Sequence, residues 1–430
     1  MLFTIAFVLG ALVATVPAAA QQPGPRARVG VGCEAALAES RWIPPDFPGY
    51  LAEVARVSPE QPHTIDYMES YLHDALGAET LSAVRSGSSP FVIVVGDGPT
   101  ALKRLKTEGW QLEGQVEKGS GYYRIHRAKD PAGNDTYVVT HVNGRDRVIH
   151  VQGFFKLAGL APARLRTIGE LKSWKAEYRA AFARLGYVPV FYGWPNSGVA
   201  AVMKANPIAN AKWIGRRLWE RMRPAKSSAE PASDLSNQSF QIIEFENGKR
   251  LWLFNSMYGD LAGELLDALY EHGARNITYF GTAGGLNEAQ RVRDIFTPKE
   301  DFDPGTGESR PVGVLKPIPG VPVSGRYVRV ATSNTETQAW LDDSVKNGVD
   351  VVEMELGYFI ALARAHPELN ARAALVLSEV LRGPNRKDMR SWSSKDTDPL
   401  APEVRSALDA TLGATGKKDY AIRAVRKGRF

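Results

Sequence analysis

Three short motifs in the C-terminal half of the chain carry residue types that could do chemistry. They are Gly281-Thr282-Ala283-Gly284-Gly285-Leu286, Glu353-Met354-Glu355 and Ser378-Glu379, and each lies at or just after the end of a predicted strand, where open α/β sheets collect ligand-binding groups. Glycines let backbone N–H groups approach an anion or a hydroxyl closely, and Thr282 adds a hydroxyl. A carboxylate only accepts hydrogen bonds, so one glutamate can hold two adjacent hydroxyl groups. The motifs therefore predict a ligand site at the strand ends.

The order and spacing of the motifs carry further information. Ser256-Met257-Tyr258-Gly259 precedes a predicted helix and a predicted strand over 276–280, and the glycine motif continues into Arg293-Asp294-Ile295. In this order the motifs resemble those of the nucleoside phosphorylase and nucleosidase superfamily, which includes purine and uridine phosphorylases and methylthioadenosine nucleosidase and usually has Gly-Asp-Ile at the last tripeptide. The resemblance covers the C-terminal half only. It implies cleavage of the N-glycosidic bond of a nucleoside.

The resemblance also implies roles for individual residues. Glu355 would accept hydrogen bonds from both ribose hydroxyls, and Met354 would pack against the sugar. Purine-specific relatives have Ser-Asp in place of Ser378-Glu379, so Glu379 would donate a proton or a hydrogen bond to the departing base. Because negative charge develops on that base, an acid with a raised pKa is expected beside it. The residues implied to bind the substrate are Gly259, Gly281, Thr282, Gly284, Met354, Glu355 and Ser378.

The half of the pattern that handles the nucleophile differs from the family. Phosphorylases carry an arginine three residues before the threonine of the glycine motif, where this chain has Tyr279, and another in the first strand-end loop, where it has Ser197. Loss of both guanidinium groups removes the usual grip on phosphate, which disfavours phosphorolysis. Hydrolytic relatives place a water-activating glutamate in that loop, and this chain has Gly198 there.

Two hypotheses from different classes follow. The first is a nucleoside hydrolase in which another carboxylate, such as Glu244 or Glu336, replaces the missing base, or in which a second subunit or the N-terminal half supplies it, through His126, His141 or an arginine. The second is a catalytically silent module that binds a nucleoside or nucleobase. The stacking aromatic of purine-specific relatives falls near Glu336, so the base is left unassigned. The alternative stacking residues are Trp194 and Tyr258.

The remaining sequence indicates how the motifs are positioned. Strands and helices alternate from Tyr187 onward, which predicts a three-layer α/β sandwich with a mixed, largely parallel central sheet of the phosphorylase/hydrolase type. We assign residues 186–430 to this domain and residues 36–185 to a smaller α/β unit of unknown role.

Local sequence patterns in the smaller unit predict individual strands and helices. A buried strand over 91–95 is followed by a helix, and two strands flank a turn at 131–134. The pattern further predicts a strand over 147–151 and a long amphipathic helix over 167–184.

The N-terminal residues predict export. Residues 1–20 are almost wholly apolar and end in small residues, which is typical of a secretory signal, although no basic residue precedes the apolar run. An uncleaved anchor is the alternative. Residues 21–35 read as an extended lead-in. We therefore expect a periplasmic or secreted protein with no stable membrane insertion after cleavage of the signal.

Composition limits the other classes of function. The chain has 430 residues, 44% hydrophobic and 23% charged, which is typical of a globular protein. The net charge of +6 comes without a basic-aromatic motif, so no nucleic-acid partner is predicted. Cys33 is the only cysteine and the seven histidines lack metal-ligand spacing, so we expect no disulfide within the chain, no metal and no cofactor. The resemblance implies a homo-oligomer.

Overall fold

The computed structural model describes residues 57, 64–65, 68–118, 123–169, 173–183, 190–193, 195–215, 239–254, 258–389 and 401–429. The predicted signal peptide, the lead-in and Cys33 lie outside these residues. Within the described ranges, no helix is long and apolar enough to cross a membrane. In the same ranges, no three or more His, Cys, Asp or Glu side chains are grouped so that they could hold a metal ion.

The chain folds into alternating helices and strands arranged on two sheets. The described helices are α1 (Met68–Leu76), α2 (Ala78–Ser86), α3 (Gly98–Thr107), α4 (Arg145–Leu157), α5 (Lys175–Phe182), α6 (Pro195–Ala205), α7 (Asp260–Glu271), α8 (Gln338–Lys346), α9 (Leu356–Ala365) and α10 (Ala401–Leu412). The strands are β1 (Phe91–Val95), β2 (Gln111–Lys118), β3 (Arg124–Lys129), β4 (Asp135–Val142), β5 (Leu165–Gly169), β6 (Val190–Gly193), β7 (Ser239–Phe245), β8 (Arg250–Phe254), β9 (Asn276–Gly285), β10 (Ile295–Phe296), β11 (Glu300–Asp303), β12 (Glu308–Pro311), β13 (Arg326–Arg329), β14 (Val351–Glu353), β15 (Asn370–Val380) and β16 (Ile422–Arg429).

The smaller sheet has five strands in the order β2-β3-β4-β1-β5. The predicted strand over 91–95 is confirmed as β1, with all five residues buried, and the predicted hairpin is confirmed as β3 and β4. Helix α3 follows β1 as expected. Its first turn is capped by Asp97, whose Oδ2 accepts the Thr100 N–H at 2.8 Å, with Pro99 in the first turn. The Gly98-Pro99 turn is therefore an ordinary strand-to-helix connection.

Two local predictions in this unit were wrong. Residues 147–151 belong to helix α4 and not to a strand. This helix is buried around nearly its whole circumference, so its sequence lacks the one-sided pattern that identifies a surface helix. Residues 167–184 divide into the end of β5 and helix α5, and Gly169, with φ of 103°, ends the strand.

The larger sheet has eleven strands and is mixed. Its path runs β12-β11-β13-β14-β9-β6-β8-β7-β16, and β15 pairs with β9 and β10. Strands β8, β6, β9 and β15 are mutually parallel neighbours, whereas β7, β12, β14 and β16 add antiparallel pairings toward the edges. The parallel character predicted from the sequence is thus found at the centre of the sheet and again in the pairs β11-β13 and β13-β14, so the sheet is mixed.

Helices cover both faces of the larger sheet. Alternate residues of β15 point to opposite sides: Leu375 and Leu377 join one apolar core with α7 and α9, and Val376 joins another with α6 and α10. Trp174 and the buried residues of α5 belong to the first of these cores. Trp174 and α5 therefore share an apolar core with α7 and α9.

Candidate functional site

The end of β9 brings the three motifs together. The glycine motif is the last part of this strand, and Gly284 and Gly285 pair with Val352 and Val351 of β14, just before the Glu-Met-Glu motif. The same two glycines pair on the other side with β15 at Glu379 and Val380. A register shift between Leu377 and Glu379 places the Ser-Glu motif in a bulge, a feature that redirects side chains near sites.

Glu379 lies directly beside the glycine motif. Its Cγ and Oε1 would each be 3.5 Å from a Cβ built on Gly284, which is van der Waals contact. Burial and the charge of Asp388 raise the pKa of Glu379 to about 7, against the lowering effect of the Met389 N–H. Ser378 is buried, with its Oγ 3.4 Å from the carbonyl oxygen of Ala283. A half-buried acid of raised pKa therefore stands where the sequence predicted one.

The two glutamates of the Glu-Met-Glu motif have different environments. Glu353 accepts the N–H groups of Glu355 and Leu356 at 2.8 and 2.6 Å, and so satisfies the start of helix α9. Glu355 is 7% exposed, and its Oε1 accepts the Gly259 N–H at 2.8 Å. Burial, followed by the neighbouring Glu353, raises the pKa of Glu355 well above its usual range. Glu353 thus holds the helix, and Glu355 faces the glycine before α7.

Tyr279, three residues before Thr282, is packed against the glycine motif. Its hydroxyl donates to Glu353 Oε1 at 2.5 Å, and its ring lies against Gly281 so closely that a Cβ there would clash with it. The side chain is 1% exposed. This position therefore offers a packed phenol where a guanidinium would bind an anion.

Other predicted residues fall in two groups. Thr282 and Met354 are half-buried beside the motifs, and Met354 packs against the apolar cluster around Val352. Glu244 lies away from them on β7, where three arginines surround it. These are Arg250, Arg423 and Arg426, at 3.4, 3.0 and 3.4 Å. Glu244 is therefore paired with arginines on a strand that does not carry any of the three motifs.

The other residues that the sequence offered as candidates for the catalytic base or for stacking lie as follows. His126 and His141 lie within the smaller unit and contact Thr140. Gly198 is buried in α6. Trp194 and the side chain of Ser197 lie outside the described residues.

Helix α4 of the smaller unit docks against this site. The N-cap of α4 is Gly144, which has no side chain to cap the helix, and Asp260 of α7 provides the cap by accepting the N–H groups of Arg145 and Asp146 at 2.8 and 3.2 Å. Gly144 has φ of 77°, and a Cβ there would press on the Asp260 carboxylate. Glycine at 144 thus permits the close contact between the two units.

A buried ion pair joins the units next to Glu355. Asp146 of α4 is fully buried and accepts from Arg329 Nη2 at 2.6 Å and from the Tyr358 hydroxyl at 3.0 Å. Arg329 also donates to the Met354 carbonyl at 3.2 Å. A Cβ on Gly259, whose φ is 56°, would clash with the Asp146 carboxylate. The smaller unit thereby places a carboxylate against the glycine that binds Glu355.

The smaller unit also contributes aromatic and basic groups near Glu379. Tyr71 of α1 hydrogen-bonds Ser333 at 3.1 Å, and its pKa is raised by burial and by the charges of Glu336 and Glu379. The guanidinium of Arg147 lies 3.6 Å over the ring of Tyr258 and covers one of its faces. Helices α1 and α4 therefore contact Ser333 and Tyr258, respectively.

Sequence reasoning missed these contributions. It assigned no role to Asp146 or Arg147 because residues 147–151 read as a strand. The available signal was the charged run Arg145-Asp146-Arg147 directly after Asn143-Gly144, within an otherwise apolar segment. All three charged side chains are at most 2% exposed.

An open cleft of about 610 Å³ lies beyond the glycine motif, lined in part by Asn287, Arg293 and Asp350. Arg293 stands where relatives have the glycine of Gly-Asp-Ile, and its φ is 81°, a region that glycine adopts without strain. Arg293 therefore holds a left-handed backbone conformation that is uncommon for a residue with a side chain.

Raised carboxyl pKa values predict how stability depends on pH. Burial raises the pKa of Glu379 and of Asp146 to about 7 and that of Glu264 to about 8. Because the fold binds these protons more tightly than the unfolded chain, the stabilisation is complete below about pH 4 and is lost as pH rises through about 7 to 8. We expect the melting temperature, measured by calorimetry, to fall between about pH 5 and about pH 8. The variant E264Q should flatten this dependence, and an unchanged slope would contradict the role of Glu264.

Comparisons with known proteins give similarity at the level of the backbone only. No protein-family model matches the chain, and no curated protein matches it. A purine nucleoside phosphorylase from Toxoplasma gondii, in complex with immucillin-H, is 14% identical with a TM-score of 0.35 over 54% of this chain and 92% of that chain. A Campylobacter jejuni 5'-methylthioadenosine/S-adenosyl homocysteine nucleosidase is 13% identical with a TM-score of 0.34 over 52% of this chain and 99% of that chain. A futalosine hydrolase mutant from Helicobacter pylori strain 26695 is 11% identical with the same TM-score and the same coverages, and all three neighbours belong to the nucleoside phosphorylase and nucleosidase superfamily.

Proposed function

We propose that this protein hydrolyses the N-glycosidic bond of nucleosides. The observation that supports the proposal is the pairing of Gly284 and Gly285 with Val352 and Val351 on one side and with Glu379 and Val380 on the other, so that the strand preceding Glu355 and the strand carrying Glu379 flank one strand end. One buried carboxyl suits the sugar hydroxyls, and the other, with a pKa raised to about 7, suits the departing base.

In the proposed reaction Glu355 holds the ribose hydroxyls and Met354 packs against the sugar. Water forms a bond to C1′ as the bond from C1′ to the base nitrogen breaks. The base nitrogen takes the bonding electron pair, and Glu379 donates its proton to the base. The Thr282 hydroxyl of the glycine motif would line the sugar side of the site.

Water is favoured over phosphate as the nucleophile. The Tyr279 hydroxyl is hydrogen-bonded to Glu353, and its ring packs on Gly281. This position therefore provides no cationic side chain for a charge-assisted hydrogen bond to phosphate. The second candidate function is a silent module that binds a nucleoside or nucleobase. The observation in its favour is that Gly198 of α6 stands where hydrolytic relatives have their base.

The localisation, domain organisation and oligomeric state are proposed from the sequence. We propose that the chain is exported to the periplasm or secreted, that residues 186–430 form a three-layer sandwich, that residues 36–185 form a separate unit, and that the protein is a homo-oligomer. The apolar leader supports export, and the cores on both faces of the larger sheet support the layered arrangement.

Replacing Glu355 tests the sugar side of the site. We expect E355Q to weaken nucleoside binding by about 10- to 100-fold, because hydrogen bonds to a charged or strongly polar group contribute roughly 1.5–3 kcal/mol. Equilibrium binding of radiolabelled nucleosides provides the measurement. The exposed Glu308 offers a matched control, since E308Q makes the same Glu-to-Gln substitution at a position away from the motifs. Equal affinity of E355Q and wild type would remove Glu355 from the site.

Release of free base tests the reaction itself. Purified protein is incubated with a panel of purine and pyrimidine nucleosides in phosphate-free buffer, and the base is quantified by chromatography. Turnover of at least one nucleoside is expected. Saturable binding without any base release would instead support the silent module.

A further inference from the structure

We propose that Asp146, from helix α4 of the smaller unit, activates the water that attacks C1′, and this inference rests on the proposed function. The family's base position is Gly198 in this chain, so the reaction needs a carboxylate from elsewhere. Asp146 would accept a proton from water as the water oxygen bonds to C1′. The electron pair of the broken bond goes to the base, which is protonated by Glu379. Exchange of one proton between the two carboxyl groups and solvent then restores the starting state.

The position of Asp146 supports this role. It lies against Gly259 so closely that no side chain fits there, and the Gly259 N–H is hydrogen-bonded to Glu355. The proposed sugar-binding carboxylate and Asp146 thus share one glycine as a common neighbour. A base for the nucleophile has to stand near the sugar that the nucleophile attacks.

The two oxygens of Asp146 have unequal surroundings. Oδ2 accepts from Arg329 and from Tyr358, which fixes the orientation of the carboxylate. Oδ1 is buried and has no hydrogen-bond partner among the residues that the structure describes. A buried carboxylate oxygen without a donor is costly, so a donor such as water or a sugar hydroxyl is expected at this atom. An ion pair that only joins the units would account for Oδ2 but not for Oδ1.

The charges around Asp146 keep it able to take a proton near neutral pH. Burial is the largest cause of its raised pKa, which is about 7. Arg329 on β13 and the Tyr358 hydroxyl on α9 lower it, and Asp260 on α7 raises it. Glu355 and Tyr258 also lie within electrostatic range of its carboxylate. A general base works best when its pKa is near the working pH.

The test is the turnover and pH profile of D146N, an isosteric change. We expect kcat to fall by about 100-fold or more, KM to change by less than about threefold, and the low-pH limb of kcat/KM to disappear. The matched control is E264Q. Glu264 is also a buried carboxyl of raised pKa, and it accepts the Trp174 N–H at the start of α5. The E264Q variant should keep both the low-pH limb and the wild-type turnover. Wild-type turnover together with an unchanged profile in D146N would overturn the role of Asp146 alone. Absence of base release by the wild type would overturn the proposed function and this inference together.

A second variant decides the question if D146N does not fold. Y358F removes one donor to Oδ2, which raises the pKa of Asp146, so the low-pH limb should move to higher pH while binding of the nucleoside is retained. A limb that stays in place in Y358F would contradict the assignment, because a purely structural role predicts no such shift.

Discussion

The variant E379Q is expected to lose nucleoside turnover by about 100- to 10,000-fold while still binding the substrate, the range associated with loss of a general acid. Glutamine keeps the size of the side chain beside Gly284 but has no proton to donate to the base. The wild-type pKa of Glu379, raised to about 7 by burial and Asp388, means that the acid form is present below about pH 7. Activity should therefore decline as pH rises above about 7, and E379Q should lack this limb.

E379D provides the control for this result. Aspartate keeps the carboxylic acid on a side chain that is one methylene shorter, so part of the activity should survive and the high-pH limb should remain. Steady-state kinetics between about pH 5 and about pH 9 separates the two variants. Unchanged turnover in E379Q would show that the leaving base is protonated by another group.

The variant R329M is expected to destabilise the protein by about 3–5 kcal/mol, because it leaves Asp146 buried without its cationic partner. Arg329 is 1% exposed and joins Asp146, Tyr358 and the Met354 carbonyl, so it links the smaller unit to the Glu-Met-Glu motif. The double variant R329M/D146N removes both charges and should recover much of the loss, since the cost lies in the unpaired charge.

A surface ion pair gives the comparison for R329M. Arg85 and Glu69 are exposed, so R85M should cost no more than about 1 kcal/mol. Denaturant unfolding of the three variants provides the free energies. If R329M were as stable as R85M, the ion pair between Arg329 and Asp146 would not contribute more to the free energy of unfolding than a surface ion pair.

The sequence predicted the strand-end motifs well, for physical reasons. The apolar runs before Gly281 and Ser378 identify the two strands, although β9 and β15 continue through the motifs to Gly285 and Val380. The three motifs meet because β9 pairs in parallel with β15 and antiparallel with β14 at the same two glycines, Gly284 and Gly285.

The contribution of the smaller unit could not be predicted in the same way. Helix α4 is buried on nearly all sides, so its apolar residues show no helical face, and its three charged residues at the start resemble a surface turn. Their burial depends on Arg329, Asp260 and Tyr258, which lie more than a hundred residues away in the chain. Contacts of that range leave no local pattern.

The sugar product of the wild-type reaction tests the central claim most directly. Nucleosides that release their base are incubated with the protein with and without inorganic phosphate, and the sugar is identified by mass spectrometry. Hydrolysis predicts free ribose in equal amount to the base, at a rate that phosphate leaves unchanged. Ribose 1-phosphate as the product, or no base release from any nucleoside, would contradict it.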